Sequence, residues 1–217
     1  MDRLQPVKTD IGLLTWNTCE EQGILEQCAD RLQWPVKVAG RGTVLDGMHA
    51  DYGQNDWYRV MSQKLGWTID ALHEMDHEFI MGCDDYDVLL MSPPESLTTR
   101  LGDGMIFASE SNPWPKLNIL KEYREFERES LSISRYVYLN AGVWMGKREF
   151  LIEFFQRCAE VAKHIQAQTE QGEICLCRNE YRDTVLLDHK REWFFVEPQP
   201  IPALRALHML KEELAYQ

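Results

Sequence analysis

The fold of this chain is indicated by the segment Phe79-Ile-Met-Gly-Cys-Asp-Asp-Tyr-Asp-Val-Leu-Leu-Met91. Its first five residues are mostly apolar, and so short an apolar run predicts a buried strand over 79–83. Three carboxylates, Asp84, Asp85 and Asp87, follow directly. In open α/β sheets, ligands bind beyond the carboxyl ends of the strands. Clustered carboxylates at such a place suit Mg²⁺ or Mn²⁺, which prefer hard oxygen ligands, although a plain polar turn between two strands would show the same pattern.

Short apolar segments that predict strands recur on both sides of this motif. They lie at 11–16, 35–38, 105–109, 137–145, 184–187 and 193–196, and 88–91 is expected to continue in extended form. Helices are predicted at 20–32, from within 51–65 onward and at 148–168 as the longest, and 203–214 is expected to be a helix or a mixed tail. Thr18 is the expected N-cap of the first helix, and 110–135 is interpreted as a functional loop or lid. Strands that alternate with helices indicate an α/β fold with a mostly parallel central sheet.

Composition limits the possible classes of protein. With 217 residues, of which 44% are hydrophobic, the chain suits a single globular domain. A net charge of -12 disfavours sequence-wide binding to nucleic acids. The six cysteines form no CxxC pair, which favours reduced thiols over a disulfide framework or a zinc site. Because we see neither a leader sequence nor a membrane span, we expect a cytoplasmic protein, in a bacterial or viral setting, with no membrane partner.

The carboxylate segment resembles the metal-binding strand and loop of the glycosyltransferase domain of procollagen lysyl hydroxylases. Asp84, Tyr86 and Asp87 match that family's Asp-x-x-Asp motif, in which tyrosine stands third. Further similarities follow in the same order along the chain. They are Leu13-Leu-Thr-Trp-Asn-Thr18, Trp34-Pro-Val-Lys-Val-Ala-Gly-Arg-Gly42, Phe107-Ala-Ser-Glu-Ser-Asn-Pro-Trp-Pro115, Tyr138-Leu-Asn-Ala-Gly142 with Met145-Gly146, and Leu187-Asp-His-Lys190.

The resemblance implies a GT-A, Rossmann-like fold that uses a UDP-sugar as donor, with glucose or galactose as the expected sugar. Residues 8–110 would form the donor-binding half and 111–217 the acceptor-side half of one domain. A divalent ion, Mn²⁺ or Mg²⁺, would bridge the two donor phosphates and stabilise charge on the UDP leaving group. Asp84 and Asp87 would be its ligands. His208 is the candidate third ligand, although it could equally be an ordinary helix residue.

The same resemblance assigns donor contacts to four residues. Thr15 and Thr18, at the end of the first strand, would contact uridine or ribose, Tyr86 would lie near the nucleotide, and Trp114 would form a wall of the sugar site. The family's Gly-Gly-Gly-Gln-Lys segment is matched to Tyr52-Gly-Gln-Asn-Asp56, which lacks the lysine. Diphosphate neutralisation is therefore expected to differ from the family.

On the acceptor side, Glu110 and Glu180 are the candidate bases, and either could equally be an exposed loop carboxylate. Asn140 could bind sugar hydroxyls or cap a turn. The family's run of aspartates before a glutamine, which faces the acceptor, is matched to Arg178-Asn-Glu-Tyr181. The acceptor itself stays open among a glycan, a protein side chain, a small hydroxylated molecule and a modified nucleobase.

Two other functions compete with sugar transfer. A nucleotidyltransferase with the same strand-end carboxylates would react with a nucleoside triphosphate and release pyrophosphate. A binding module that kept the fold would bind sugar or nucleotide without turnover, and the missing lysine and the thinned aspartate run motivate this alternative. The sequence does not indicate an oligomeric state.

Overall fold

The structure, a computed structural model, describes residues 10–43, 54–91, 103–113, 121, 125–126, 128, 134–164 and 170–194, with the backbone alone for 54–62. The strands are β1 Ile11–Trp16, β2 Val36–Ala39, β3 Phe79–Asp84, β4 Met105–Glu110, β5 Tyr138–Lys147 and β6 Val185–Leu187. The helices are α1 Ile24–Leu32, α2 Gln54–Glu74, α3 Arg148–His164 and α4 Glu170–Arg178. The predicted site residues Trp114 and His208 lie outside the described residues, as does the helix predicted at 203–214.

The six strands form one sheet in the order β2-β1-β3-β5-β4-β6. All neighbours pair in parallel except β5, which runs antiparallel to both β3 and β4. The predicted α/β fold with a mostly parallel sheet is therefore confirmed, and the topology is compatible with a GT-A, Rossmann-like fold. Trp16 is in register with Asp84, and Glu110 is in register with Tyr138. These four residues mark one end of the sheet, which we call the carboxyl edge.

Apolar side chains fill both faces of the sheet. On one face, α2, α3 and α4 cover a cluster that includes Trp144, whose ring lies 4.9 Å from that of Phe155. Gly82 makes this packing possible, because a Cβ there would lie 2.3 Å from the indole of Trp144. On the other face, α1 packs Leu25 against the β1 side chain of Leu13. Because both faces of the sheet are covered, polar groups can meet a ligand at the ends of the strands.

Helix α1 begins at Ile24, several residues later than predicted, because Asp85 rather than Thr18 accepts hydrogen bonds from the N–H groups of its first turn. The Asp85 carbonyl oxygen accepts the Leu25 N–H at 2.9 Å, and the Asp85 Oδ1 accepts the Glu26 N–H at 3.2 Å. Gly23 stands at the N-cap position. The helix start is thus joined to the loop after β3, 60 residues further along the chain.

Other boundaries also differ from the sequence-based prediction. Helix α2 occupies most of the stretch that was expected to be a loop and, at 21 residues, it is longer than the 17-residue α3. Residues 88–91 and 193–194 carry no strand. Helix α4 was not predicted, since residues 170–178 have a weakly amphipathic and largely polar sequence. No helix in the described part of the chain is long and apolar enough to cross a membrane.

Candidate active site

Asp84 ends β3 at the carboxyl edge and is held there by a buried lysine. Lys64 Nζ lies 2.5 Å from Asp84 Oδ1, and only 4% of the lysine surface is exposed. Its ammonium group also lies 4.1 Å from the centre of the Trp16 ring. Burial acts to lower the pKa of Lys64, but the charges of Asp84 and Glu170 outweigh it and raise this pKa to about 12. Lys64 is therefore a permanent cation beside the predicted metal ligand.

Helix α4 brings a second buried carboxylate to the same lysine. Glu170, its first residue, has Oε1 3.4 Å from Lys64 Nζ. Burial raises the pKa of Glu170, while the charge of Lys64 opposes this effect. The other oxygen, Oε2, is buried and has no hydrogen-bond partner among the residues that the structure describes. A buried carboxylate oxygen without a donor is costly, which makes Glu170 a candidate for binding a ligand hydroxyl.

Asp87 follows in the loop beyond β3 and is exposed. Partial loss of solvation, and then the negative charge of Asp84, raise the pKa of Asp87. Two carboxylates that repel each other provide a place where a divalent cation would be stabilised. Among the described residues, no group of three His, Cys, Asp or Glu side chains is arranged to hold a metal. Asp84 and Asp87 alone fit an ion such as Mg²⁺, which commonly takes one or two carboxylates and completes its shell with water and phosphate oxygens.

The third carboxylate of the motif, Asp85, has a structural place. Its side chain is buried at the start of α1, where burial and then the nearby Glu26 raise its pKa to about 6. Glu26 in turn contacts Arg41 and accepts a 2.7 Å hydrogen bond from Asn17 Nδ2. Asn17 Oδ1 accepts the hydroxyl of Tyr86 at 3.3 Å. This buried network fixes the loop that carries Tyr86, half of whose surface is exposed at the edge.

Glu110 and Asn140 meet at the carboxyl edge. Glu110 ends β4, and its Oε1 accepts a 3.2 Å hydrogen bond from Gln171 Nε2. Burial raises the pKa of Glu110 to about 7, although hydrogen bonds from Gln171 and Asn140 oppose the rise. A carboxylate with such a pKa is suited to accept a proton near neutral pH.

Gly142 allows β5 to approach Asp84. A Cβ at this position would lie 2.6 Å from Asp84 Oδ2 and 3.0 Å from Asn140 Oδ1. Because Lys64 holds the other Asp84 oxygen, the carboxylate cannot swing away freely. The glycine thereby lets Asp84 lie close to Asn140, which hydrogen-bonds to Glu110.

Two predicted site residues, Thr15 and Glu180, are placed differently from expectation. Thr15 is fully buried, and its hydroxyl donates to the Cys83 carbonyl oxygen at 2.8 Å, so it is not presented to a nucleotide. Thr18 lies, partly exposed, just beyond the end of β1, and its contact with the nucleotide stays a prediction. Glu180 lies just beyond the far end of α4 and pairs with Arg157 at 2.8 Å. About 13 Å of helix separates it from Glu170, so we do not retain Glu180 as a candidate base.

Lys64, Glu170 and Gln171 were missed by the sequence analysis, although the chain carried a signal for each. Gln63-Lys64 has the same two residues as the end of the family's Gly-Gly-Gly-Gln-Lys segment, eight residues beyond the end of the stretch 52–56. Glu170-Gln171 reproduces the acidic residue before glutamine, which had been matched to 178–181. The structure places Lys64 on α2, and Glu170 and Gln171 on α4.

Comparison with known proteins agrees with this geometry. A family model described as the PLOD GT domain matches residues 8–195. Over 100 residues the chain is 28% identical to an uncharacterized protein, R699, of Acanthamoeba polyphaga mimivirus, and the match covers 43% of this chain. It covers 21% of the viral protein, so the chain spans about a fifth of that relative. Since the family model matches most of the chain, including the whole carboxyl edge, the chain belongs to the PLOD GT domain family of glycosyltransferases.

Proposed function

We propose that this glycosyltransferase moves a hexose, glucose or galactose, from a UDP-sugar to a hydroxyl group of an acceptor, with a divalent metal ion bound by Asp84 and Asp87. One observation carries the proposal. Asp84, Glu110 and Asn140, which lie on three different strands, meet at one edge of the sheet together with Lys64 and Glu170. Strand ends of this kind are where α/β folds bind nucleotides and their sugars.

The donor side carries the charges that a diphosphate needs. Mn²⁺ or Mg²⁺, when bound, would supply Lewis-acid stabilisation of the charge on the departing UDP. Lys64 holds Asp84 in place through their ion pair, and it adds a positive charge where the donor phosphates would lie. Tyr86, fixed through Asn17 and half exposed, offers an aromatic face to the nucleotide. Thr18, Trp114 and His208 remain proposed contacts of the donor or the metal.

The acceptor side carries hydrogen-bond acceptors for sugar hydroxyls. Glu110 has a pKa near 7 and can accept a hydroxyl proton at neutral pH, while Glu170 presents a buried oxygen that lacks a donor among the described residues. Either carboxylate could orient the acceptor hydroxyl, and Asn140 lies beside both Glu110 and Gly142. The acceptor remains open among a glycan, a protein side chain, a small molecule and a modified nucleobase.

We also retain a cytoplasmic location as part of the proposal. All six cysteines are free thiols, and four of them are buried. Such cysteine usage is common in reducing compartments.

UDP release from a panel of UDP-sugars tests the proposal directly. With Mn²⁺ present, we expect release of UDP from one hexose donor by the wild-type chain and loss of at least about 99% of this rate in Asp87→Ala. Asp103→Ala is the matched control, because Asp103 is an exposed carboxylate that pairs with Lys147 at the opposite edge of the sheet. This control should keep the wild-type rate.

Two results would contradict the assignment. If the wild type and Asp87→Ala bound UDP equally, with and without Mn²⁺, Asp87 would not be the ligand of a metal ion that binds the donor. Pyrophosphate release from a nucleoside triphosphate, without UDP release from any UDP-sugar, would instead identify a nucleotidyltransferase.

A further inference from the structure

Gln171 occupies a position between the two halves of the candidate site. It is the second residue of α4 and is 7% exposed. Its Oε1 accepts the Ala141 N–H at 2.9 Å, and its Nε2 donates to Glu110 at 3.2 Å. One side chain therefore connects β5 and β4 at the point where both reach the carboxyl edge.

The orientation of this amide is set by the backbone. A peptide N–H can only donate, so the carboxamide oxygen of Gln171 must face Ala141 and its NH₂ group must face Glu110. Asn140 is oriented in the same way, because its Oδ1 accepts the Gly142 N–H at 2.9 Å. Its NH₂ group is then left to donate to the Glu110 carboxylate. Two successive backbone N–H groups thus direct two amide donors at one carboxylate.

This arrangement determines what Glu110 can do. The Glu110 carboxylate accepts one hydrogen bond from Asn140 on β5 and one from Gln171 on α4, and these two bonds fix its orientation. Its remaining lone pairs are available to accept a hydrogen bond from a ligand. Assuming the sugar transfer proposed above, we infer that Gln171 is a positioning residue, which holds the Glu110 carboxylate so that it accepts a hydrogen bond from a substrate hydroxyl. Gln171 does not itself need to touch the substrate.

The charged groups nearby belong to three other elements. Glu170 precedes Gln171 on α4, Asp84 ends β3, and Lys64 of α2 lies between these two carboxylates. The amide NH₂ of Gln171 stabilises the ionised form of Glu110, in opposition to burial. Removing that donor should therefore move the titration of Glu110 to higher pH.

The test uses the full chain and two substitutions. Gln171→Leu removes the donor, and Gln171→Glu replaces it with a second carboxylate. The Glu110 side-chain carboxyl signal is followed by ¹³C NMR against pH and is assigned by its loss in Glu110→Gln. We expect the midpoint to rise in both variants, by about one pH unit or more in Gln171→Glu. Gln156→Leu, at an exposed glutamine of α3 that contacts His73, is the matched control and should leave the midpoint unchanged.

Kinetics supply the second measurement. If sugar transfer is confirmed, kcat/KM should fall at least about tenfold in Gln171→Leu, mainly through kcat, and the pH at which the rate is half-maximal should rise with the NMR midpoint. If Gln171→Glu does not fold, the double variant Glu110→Gln, Gln171→Glu restores one donor and one acceptor. The double variant should then fold and show a cooperative thermal unfolding transition, and its failure to fold would count against the contact between residues 110 and 171.

The outcomes for Gln171 and for the transferase are separable. An unchanged Glu110 midpoint in both Gln171 variants would overturn the positioning inference even if UDP-sugar transfer were demonstrated. A shifted midpoint without transfer from any UDP-sugar would support the contact with Glu110 and count against the proposed reaction.

Discussion

Lys64 shows how a single residue can stabilise an otherwise unfavourable site. Its ammonium group, almost fully enclosed, lies against Asp84 and Glu170, which would otherwise repel each other at the carboxyl edge. Breaking a buried ion pair on one side leaves an uncompensated charge, which typically destabilises a protein by 3–5 kcal/mol. The lysine is therefore expected to stabilise the fold and, if the proposed function holds, to contribute to donor binding.

For Lys64→Met we expect a loss of about 3 kcal/mol in the free energy of unfolding and at least about tenfold weaker binding of UDP in the presence of Mn²⁺. Chemical denaturation and calorimetry measure the two effects. Lys37→Met is the matched control, because Lys37 makes an exposed ion pair with Glu74, and it should change the stability by less than about 1 kcal/mol. Wild-type affinity for UDP in Lys64→Met would show that this lysine does not face the donor.

Glu110 predicts a pH-dependent change in stability. Its pKa is about 7 in the folded chain and near 4.5 when unfolded, so the folded state favours the protonated acid. The ionised side chain therefore destabilises the fold, and this cost appears progressively as the pH rises from about 4.5 to above 7. Glu110→Gln removes it and should stabilise the chain at pH 8 by on the order of 1–3 kcal/mol, with little effect at pH 4. Thermal unfolding of both proteins at the two pH values measures the difference, and equal stabilisation at both would contradict it.

At the scale of secondary structure, the pairing of β3 and β5 depends on glycines. Gly142 is the one that adjoins the site, since a side chain there would press on Asp84 while Lys64 prevents the carboxylate from moving. We expect Gly142→Ala to weaken Mn²⁺ binding in the presence of UDP by about tenfold or more, because metal ligands must be held in place closely.

Gly66→Ala is the matched control for this prediction. Gly66 lies within α2, and an added Cβ there would meet nothing within 4 Å. Alanine is the better helix former, so this variant should be more stable by about 0.5–1 kcal/mol and should bind metal as the wild type does. Normal Mn²⁺ affinity in Gly142→Ala would indicate that Asp84 binds the ion in another conformation.

Some of the strands and helices could be predicted from the sequence, and others could not. Strands β1, β3 and β4 are short apolar runs, and burial on both faces of a sheet requires that pattern, so their positions were correct within one residue. Helix α4 could not be found in this way. Its helical state depends on tertiary contacts of Ile174, Cys175 and Cys177 with α3 and the sheet rather than on its own propensity.

At the scale of the whole molecule, tertiary packing also limits how much of the site can be predicted from the sequence. Asp84 and Glu110 end two apolar strands that the sequence predicts, and topology brings strand ends together without further information. Lys64 and Gln171 are carried by helices, and their contact with the edge depends on how those helices pack. Thr15 illustrates the reverse error, since its place at a strand end suggested exposure, whereas pairing with β3 buried its hydroxyl.

The topology also predicts which parts of the chain should respond to ligand. Binding of Mn²⁺ and UDP at the carboxyl edge should slow amide hydrogen exchange in three segments that are distant in sequence, 84–87, 140–142 and 170–171. A ligand at one hundred times its dissociation constant stabilises the bound state by about 2.7 kcal/mol, which corresponds to roughly a hundredfold slower exchange wherever opening requires release of the ligand. Residues 147–150 and 178–181, at the opposite end of the sheet, should exchange at unchanged rates. Protection confined to 84–87 would show that metal and nucleotide bind to the loop after β3 alone, without engaging β5 and α4, and a single site across the edge would then be excluded.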